Sequence, residues 1–385
     1  MPMLFDPIQL GEITAPNRIL MAPLTRARAT REHVPVPMMA DYYRQRAGAG
    51  LIISEATGIS RQGLSWPYAP GIWSAEQIEG WKRVTGAVHE AGGRVVAQLW
   101  HQGRLAHSSV TGQQPVSASA TRAPGQARTY DGKEVYQEAR ALTLDEIRRI
   151  VDDYAGAARN AMTAGFDGVQ IHGANGYLID QFLRDNSNHR DDDYGGSPQN
   201  RVRLLREVAQ AVVDSIGAGR TSVRLSPNGE SQGVDDSAPQ TLFAEAARAL
   251  DAIGIGFLEL REQKPYGTFG STDVPRLSPK LRPLFKGPLV LNNDYDAALA
   301  KKDVEDGLAD AISFGRAFLA NPDLVERLRA GASLNDPQPA SYYTRGAEGY
   351  LDYPVLEQSE RFSHDIPSSL PSRPPAEVPF PGASR

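Results

Sequence analysis

The stretch HGANGYL brings three chemically different side chains, His172, Asn175 and Tyr177, into one short run. An imidazole and a carboxamide can both donate hydrogen bonds to one oxygen, stabilising the negative charge that grows there during an addition reaction. A phenol with an ordinary pKa of about 10 stays protonated at neutral pH and can deliver a proton. A loop histidine beside an Asn-Gly turn would carry the same letters, so the run gains meaning only from its surroundings. Arg224 stands between Val223 and Leu225, and Gln98 lies inside VVAQLW. A buried guanidinium needs an anionic partner and a buried amide needs partners at both ends, whether from the core or from a ligand. Gly315-Arg316 joins a residue that lets backbone approach an anion to a bidentate donor, which suits phosphate and equally suits a solvated strand exit. The adjacent carboxylates of RDDDYGG (190–196) fit a solvated loop better than a metal site, since neighbouring side chains seldom converge on one ion. No metal is expected. There is no G-x-S-x-G elbow and no P-loop. With no cysteine among 385 residues, thiolate zinc sites, iron–sulfur clusters and disulfides are excluded, and redox chemistry requires a bound cofactor.

These residues need a scaffold, and the chain supplies a repeating one. A content of 41% hydrophobic and 23% charged residues is the ordinary globular mix. The net charge of −5 offers no electrostatic footprint for nucleic acid or an anionic membrane. Without a signal sequence or an apolar run of roughly eighteen residues, a cytoplasmic location is expected. Eight short apolar runs read as strands buried on both faces: 19–25, 51–57, 94–100, 167–173, 221–227, 256–262, 288–294 and 310–316. Amphipathic helices are predicted between them at 37–47, 74–93, 142–166, 197–216, 239–253, 278–285, 295–307 and 321–331. Ser74 precedes Gln77, and Thr143 precedes Glu146, at capping-box spacing. The alternation predicts an α/β fold, a (β/α)8 TIM barrel. No strand opens into G-x-G-x-x-G, which argues against a dinucleotide-binding sheet. The candidates Thr25, Ala56, Gln98, His172, Asn175, Tyr177, Arg224, Asn293, Gly315 and Arg316 all fall at strand ends, where barrel active sites are built.

Three segments depart from the repeat. Residues 1–18 read as a hairpin before the first strand, and 101–141 as a long loop after the third strand, a candidate lid or substrate wall. Residues 1–366 form one expected domain. Six of the nineteen residues from 367 to 385 are proline, predicting a disordered or surface-bound tail.

The strings APNRILMAPLTRARA (15–29), DYYRQRAGAGLIISEAT (41–57), VAQLWHQGR (96–104), GFDGVQIHGANGYLIDQFLRDNSNHRDDDYGGSPQNRVRLL (165–205), SFGRAFLANPDLVERL (313–328) and YYTRGAEGYLDYP (342–354) are familiar. Through them the chain resembles the old yellow enzyme family of FMN-dependent ene reductases from about Leu4 to about Pro354. It is most similar to the bacterial branch of N-ethylmaleimide, glycerol trinitrate and pentaerythritol tetranitrate reductases.

The resemblance implies a bound FMN, with NADPH or NADH as hydride donor and small electron-poor alkenes as substrates, in a monomer or homodimer. Thr25 would donate to the flavin C4 carbonyl, with Ala22 and Pro23 against the ring and Ala56 beside it. Gln98 and Arg224 would hold the pyrimidine edge, while Asn293, Gly315 and Arg316 would take the 5′-phosphate. His172 and Asn175 would grip the activating oxygen of an α,β-unsaturated carbonyl or nitro compound, and Tyr177 would protonate its α-carbon in a ping-pong cycle. Tyr68, Trp100 and Tyr343 would form aromatic walls. Nitrate-ester and nitroaromatic reduction are implied side activities. Relatives carrying an iron–sulfur cluster are excluded by the absence of cysteine. The remaining alternatives are a cofactor-free barrel aldolase or isomerase on a phosphorylated substrate and a non-catalytic flavin binder.

Overall fold

The computed structural model describes residues 2–267 and 270–356; the Pro-rich tail 367–385 lies outside them. Eight parallel strands close into a barrel. In chain order they are Ile19–Met21, Ile52–Gly58, Val95–Trp100, Gly168–Gly173, Thr221–Leu225, Phe257–Arg261, Leu289–Asn292 and Ala311–Phe314, and the last pairs with the first. All eight predicted strands are therefore present, trimmed by one to four residues except that the second runs on to Gly58. The first stops at Met21, just ahead of Pro23, which has no N–H for a ladder.

The helices follow their punctuation. Ala75–Glu90 starts on Ser74 and Leu144–Thr163 on Thr143, both with complete capping boxes. The predicted helix over 197–216 is two pieces, Pro198–Arg201 and Arg203–Ile216. The segment 101–141 is not bare loop. It carries a short helix Ser108–Thr111, a parallel pairing of Val116–Ser117 with Arg140–Ala141, and a hairpin of Gln126–Thr129 with Gly132–Val135.

The barrel interior changes character along its axis. At the floor, the N-terminal hairpin (Ile8–Leu10 and Ile13–Ala15) packs Leu10, Ile13 and Ala15 against Leu20, Val96, Phe257, Val290 and Ala311. Side chains two residues further along a strand point the same way. Moving from Val96, Phe257, Val290 and Ala311 by that step reaches Gln98, Glu259, Asn292 and Ser313. An apolar plug thus passes into a polar layer, and the polar end is where the long βα loops emerge. Among the described residues no helix is long and apolar enough to cross a membrane.

The capping box on Leu144–Thr163 is reinforced by Arg140, which donates to Glu146 Oε2 (2.7 Å). Replacing Thr143 by Ala removes the acceptor for the Glu146 N–H and should lower unfolding free energy by about 1 kcal/mol. Urea unfolding followed by circular dichroism checks this.

Candidate active site

The C-terminal ends of the strands surround a cavity of about 500 Å³. Ala22, Pro23, Thr25, Ala56, Gln98, His172, Asn175, Tyr177, Arg224, Asn293, Gly315, Arg316 and Tyr343 all line it. Two expected wall residues do not. Trp100 is buried behind the cavity and meets Tyr177 edge to face, ring centroids 4.9 Å apart. At Tyr68 the backbone is left-handed (φ +62°), and the ring instead packs edge-on against Tyr130 beneath the Arg345 guanidinium. The aromatic wall consists of Trp66, Tyr342 and Tyr343, roofed by Arg128 of the 126–135 hairpin.

Buried charge organises the next layer. Arg224 pairs with Glu259 on the neighbouring strand, directly opposite in register. Gln170 donates to Glu259 Oε2 (2.8 Å) and accepts from Gln98 Nε2 (2.8 Å), while Ser313 donates its hydroxyl to Oε1 of the same carboxylate. Arg224 also donates to Asn292 Oδ1 (2.7 Å), and Asn292 in turn donates to the Ser313 carbonyl (2.8 Å). This one chain of bonds runs through six of the eight strands and fixes how Gln98 and Arg224 are presented.

The fourth strand carries His172 near its end and runs into the loop that carries Asn175 and Tyr177. Asn175 adopts φ +59° and Gly176 φ +80°, a conformation tolerated by Asn and natural to Gly. A Cβ on Gly176 would stand 2.5 Å from the Ser231 carbonyl oxygen. The loop is tied down by Ser226, which accepts from the Asn175 N–H (2.8 Å), and by Asp180, which accepts from the Gly176 N–H (2.9 Å). Asp180 is itself held by the fully buried Arg184.

Protonation states follow from these contacts. Burial, with Arg224 and Arg261 nearby, holds the His172 pKa well below its ordinary value. The imidazole is therefore neutral, and Nδ1 accepts from the Ala174 N–H (3.3 Å), leaving the proton on Nε2. Burial raises the Tyr177 pKa, against a smaller lowering by a hydrogen bond with Gln232, so the phenol keeps its proton at neutral pH. A neutral donor and a protonated acid thus share one wall.

At the opposite end, Asn293 (φ +113°) donates its side-chain amide to the Glu262 carbonyl (2.9 Å), and Arg316 pairs with Asp294. An arriving phosphate would share that guanidinium with Asp294.

The residues fit an FMN. Arg224 keeps a buried Nε without a partner among the described residues. Ala22, Pro23 and Ala56 offer a low apolar surface for a flat ring, and Arg316 marks a cationic end. Sequence reasoning missed Arg261, Gln232, Asn292, Asp294 and Ser313, which also line the cavity. The question asked of Arg224, what neutralises a charge in an apolar strand, would have found Glu259 and Arg261 in GFLELRE as well. The Tyr342–Tyr343 wall is clamped from the first βα loop. Arg26 donates to the Tyr342 and Gly349 carbonyls, and Arg28 to those of Tyr342 and Ser341.

A closed barrel whose strand-end cavity combines a buried guanidinium, a low apolar surface and a cationic end has the features of a flavin-dependent oxidoreductase. Residues 3–335 match the NADH:flavin oxidoreductase / NADH oxidase family. The old yellow enzyme homologue of Zymomonas mobilis superposes with a TM-score of 0.92 at 59% identity, covering 92% of this chain and all of its own. Morphinone reductase in complex with tetrahydroNAD superposes at 0.88 with 44% identity, covering 93% of this chain and 99% of its own. Rice 12-oxophytodienoate reductase 7 is 41% identical over 92% of this chain and 95% of its own. The chain belongs to the old yellow enzyme family and is an FMN-dependent NAD(P)H ene reductase.

Replacing Glu259 by Gln removes the carboxylate but keeps its shape, leaving Arg224 as a buried cation without its counter-ion. FMN affinity should fall at least about tenfold and apoprotein stability should drop. Fluorescence titration of the apoprotein with FMN and a thermal melt check both.

Proposed function

We propose that His172 and Asn175 bind the activating oxygen of an electron-poor alkene and that Tyr177 protonates its α-carbon. The observation that carries this is one wall bearing a neutral imidazole with its proton on Nε2, a carboxamide and a phenol that stays protonated. When bound, FMN supplies the hydride relay between the nicotinamide and the alkene. Gln98 and Arg224 would hold the pyrimidine edge of its ring, Thr25 the C4 carbonyl, and Asn293, Gly315 and Arg316 its phosphate. Arg224 would place a positive charge beside that edge. Because Glu259 holds Arg224 and Gln170 holds Gln98 beforehand, little reorganisation is needed when charge develops. NADH or NADPH serves as donor, and small enones and nitroalkenes are the substrate class. Family membership disfavours the cofactor-free aldolase or isomerase.

The test is the anaerobic visible spectrum of the purified protein through addition of NADPH and then 2-cyclohexenone. A yellow band that bleaches and returns supports the proposal. A protein that stays colourless after incubation with FMN overturns it. Replacing Tyr177 by Phe should slow the return about 100-fold or more while leaving the bleaching step nearly intact. Equal losses in both would remove Tyr177 as proton donor. Because the His172 pKa lies below its ordinary value, the neutral form dominates across physiological pH. The rate of flavin return should therefore show no histidine limb from about pH 6 to about pH 8 in stopped-flow measurements.

A further inference from the structure

Arg261 closes the sixth strand, is almost fully buried, and lines the cavity. Its Nη1 donates to Asn175 Oδ1 (3.2 Å) and reaches Ser231 Oγ (3.4 Å). The Asn175 main chain is fixed separately: its N–H donates to Ser226 and its carbonyl accepts from Gln232 Nε2 (2.6 Å). What those bonds leave undetermined is the orientation of the terminal amide, whose oxygen and nitrogen ends are nearly alike in shape and opposite in function.

A guanidinium has donors only. Facing it, the amide must present its oxygen, which turns Nδ2 the other way; among the described residues Nδ2 donates to no protein group. A cationic donor on the oxygen also polarises the amide and strengthens its N–H bonds as donors. Burial and the neighbouring Arg224 lower the Arg261 pKa only to about 10, so the cation persists at neutral pH.

We infer that Arg261 is a positioning residue, which sets the Asn175 amide with Nδ2 toward the substrate oxygen and polarises it as charge grows there. The inference rests on the proposal that Asn175 grips that oxygen.

The experiment is a double-mutant cycle on the holoenzyme. Arg261→Met should lower kcat/KM for 2-cyclohexenone about tenfold, mostly in kcat, while in an Asn175→Ala background it should change it less than about twofold. Arg261→Lys, which restores a cationic donor, should recover most of the loss. As a readout independent of turnover, the Kd of cyclohexanone on oxidised enzyme, by calorimetry, should rise in Arg261→Met but not between Asn175→Ala and the double variant. Arg261→Gln, whose side chain is too short to span the gap, replaces the methionine variant if that one does not fold. Losses that add in the two backgrounds, or a lysine variant no better than methionine, would overturn the inference. Wild-type protein that binds no FMN, or whose bleached flavin does not return with the enone, would instead mark failure of the proposed function.

Discussion

Glu259 sits fully buried within the barrel, and Arg224 is the cation set against it. An ion pair out of water gives back little net stability, and removing either member leaves an uncompensated charge. The strands on both sides are therefore committed to satisfying it. Gln170 and Ser313 occupy the carboxylate, Asn292 takes a guanidinium N–H, and Gln98 is set by Gln170. Apolar packing at the floor holds the barrel shut. The polar layer above it decides where donors point, and a rigid arrangement of donors is what a flavin edge requires.

Much of this was legible in the sequence for a simple reason. Strands covered on both faces are continuous apolar runs, so a polar residue inside one stands out, and Arg224 and Gln98 were found that way. Helix starts were visible in Ser74 and Thr143 because a cap is a local bond between residues three apart. What stayed hidden depends on neighbours far apart in the chain. Asp294 partners Arg316 across two strand ends, and Arg261 meets Asn175 from two strands away. Tyr68 and Trp100 sit near the site in sequence, yet a left-handed residue turns one ring onto Tyr130 and burial places the other behind Tyr177.

The electrostatics around His172 follow from the same layer. Two guanidiniums nearby oppose its protonation, and burial removes the water that would stabilise an imidazolium. A histidine in such a place acts as a fixed donor, not as a proton shuttle. The proposed division of labour gives proton delivery to Tyr177, whose phenol is kept protonated by burial.

The clamp of Arg26 and Arg28 on residues 341–349 joins the beginning of the barrel to a segment made some three hundred positions later. Two buried cations from the first βα loop await main-chain carbonyls that do not yet exist while the chain is being synthesised. The cofactor chamber thus has a built-in order of assembly. All eight strands and the whole polar layer can emerge from the ribosome with the Tyr342–Tyr343 side still open, and the enclosure is finished only when the late segment arrives. A shortened translation product would display the strand-end residues of the cavity yet lack the wall that separates them from bulk water.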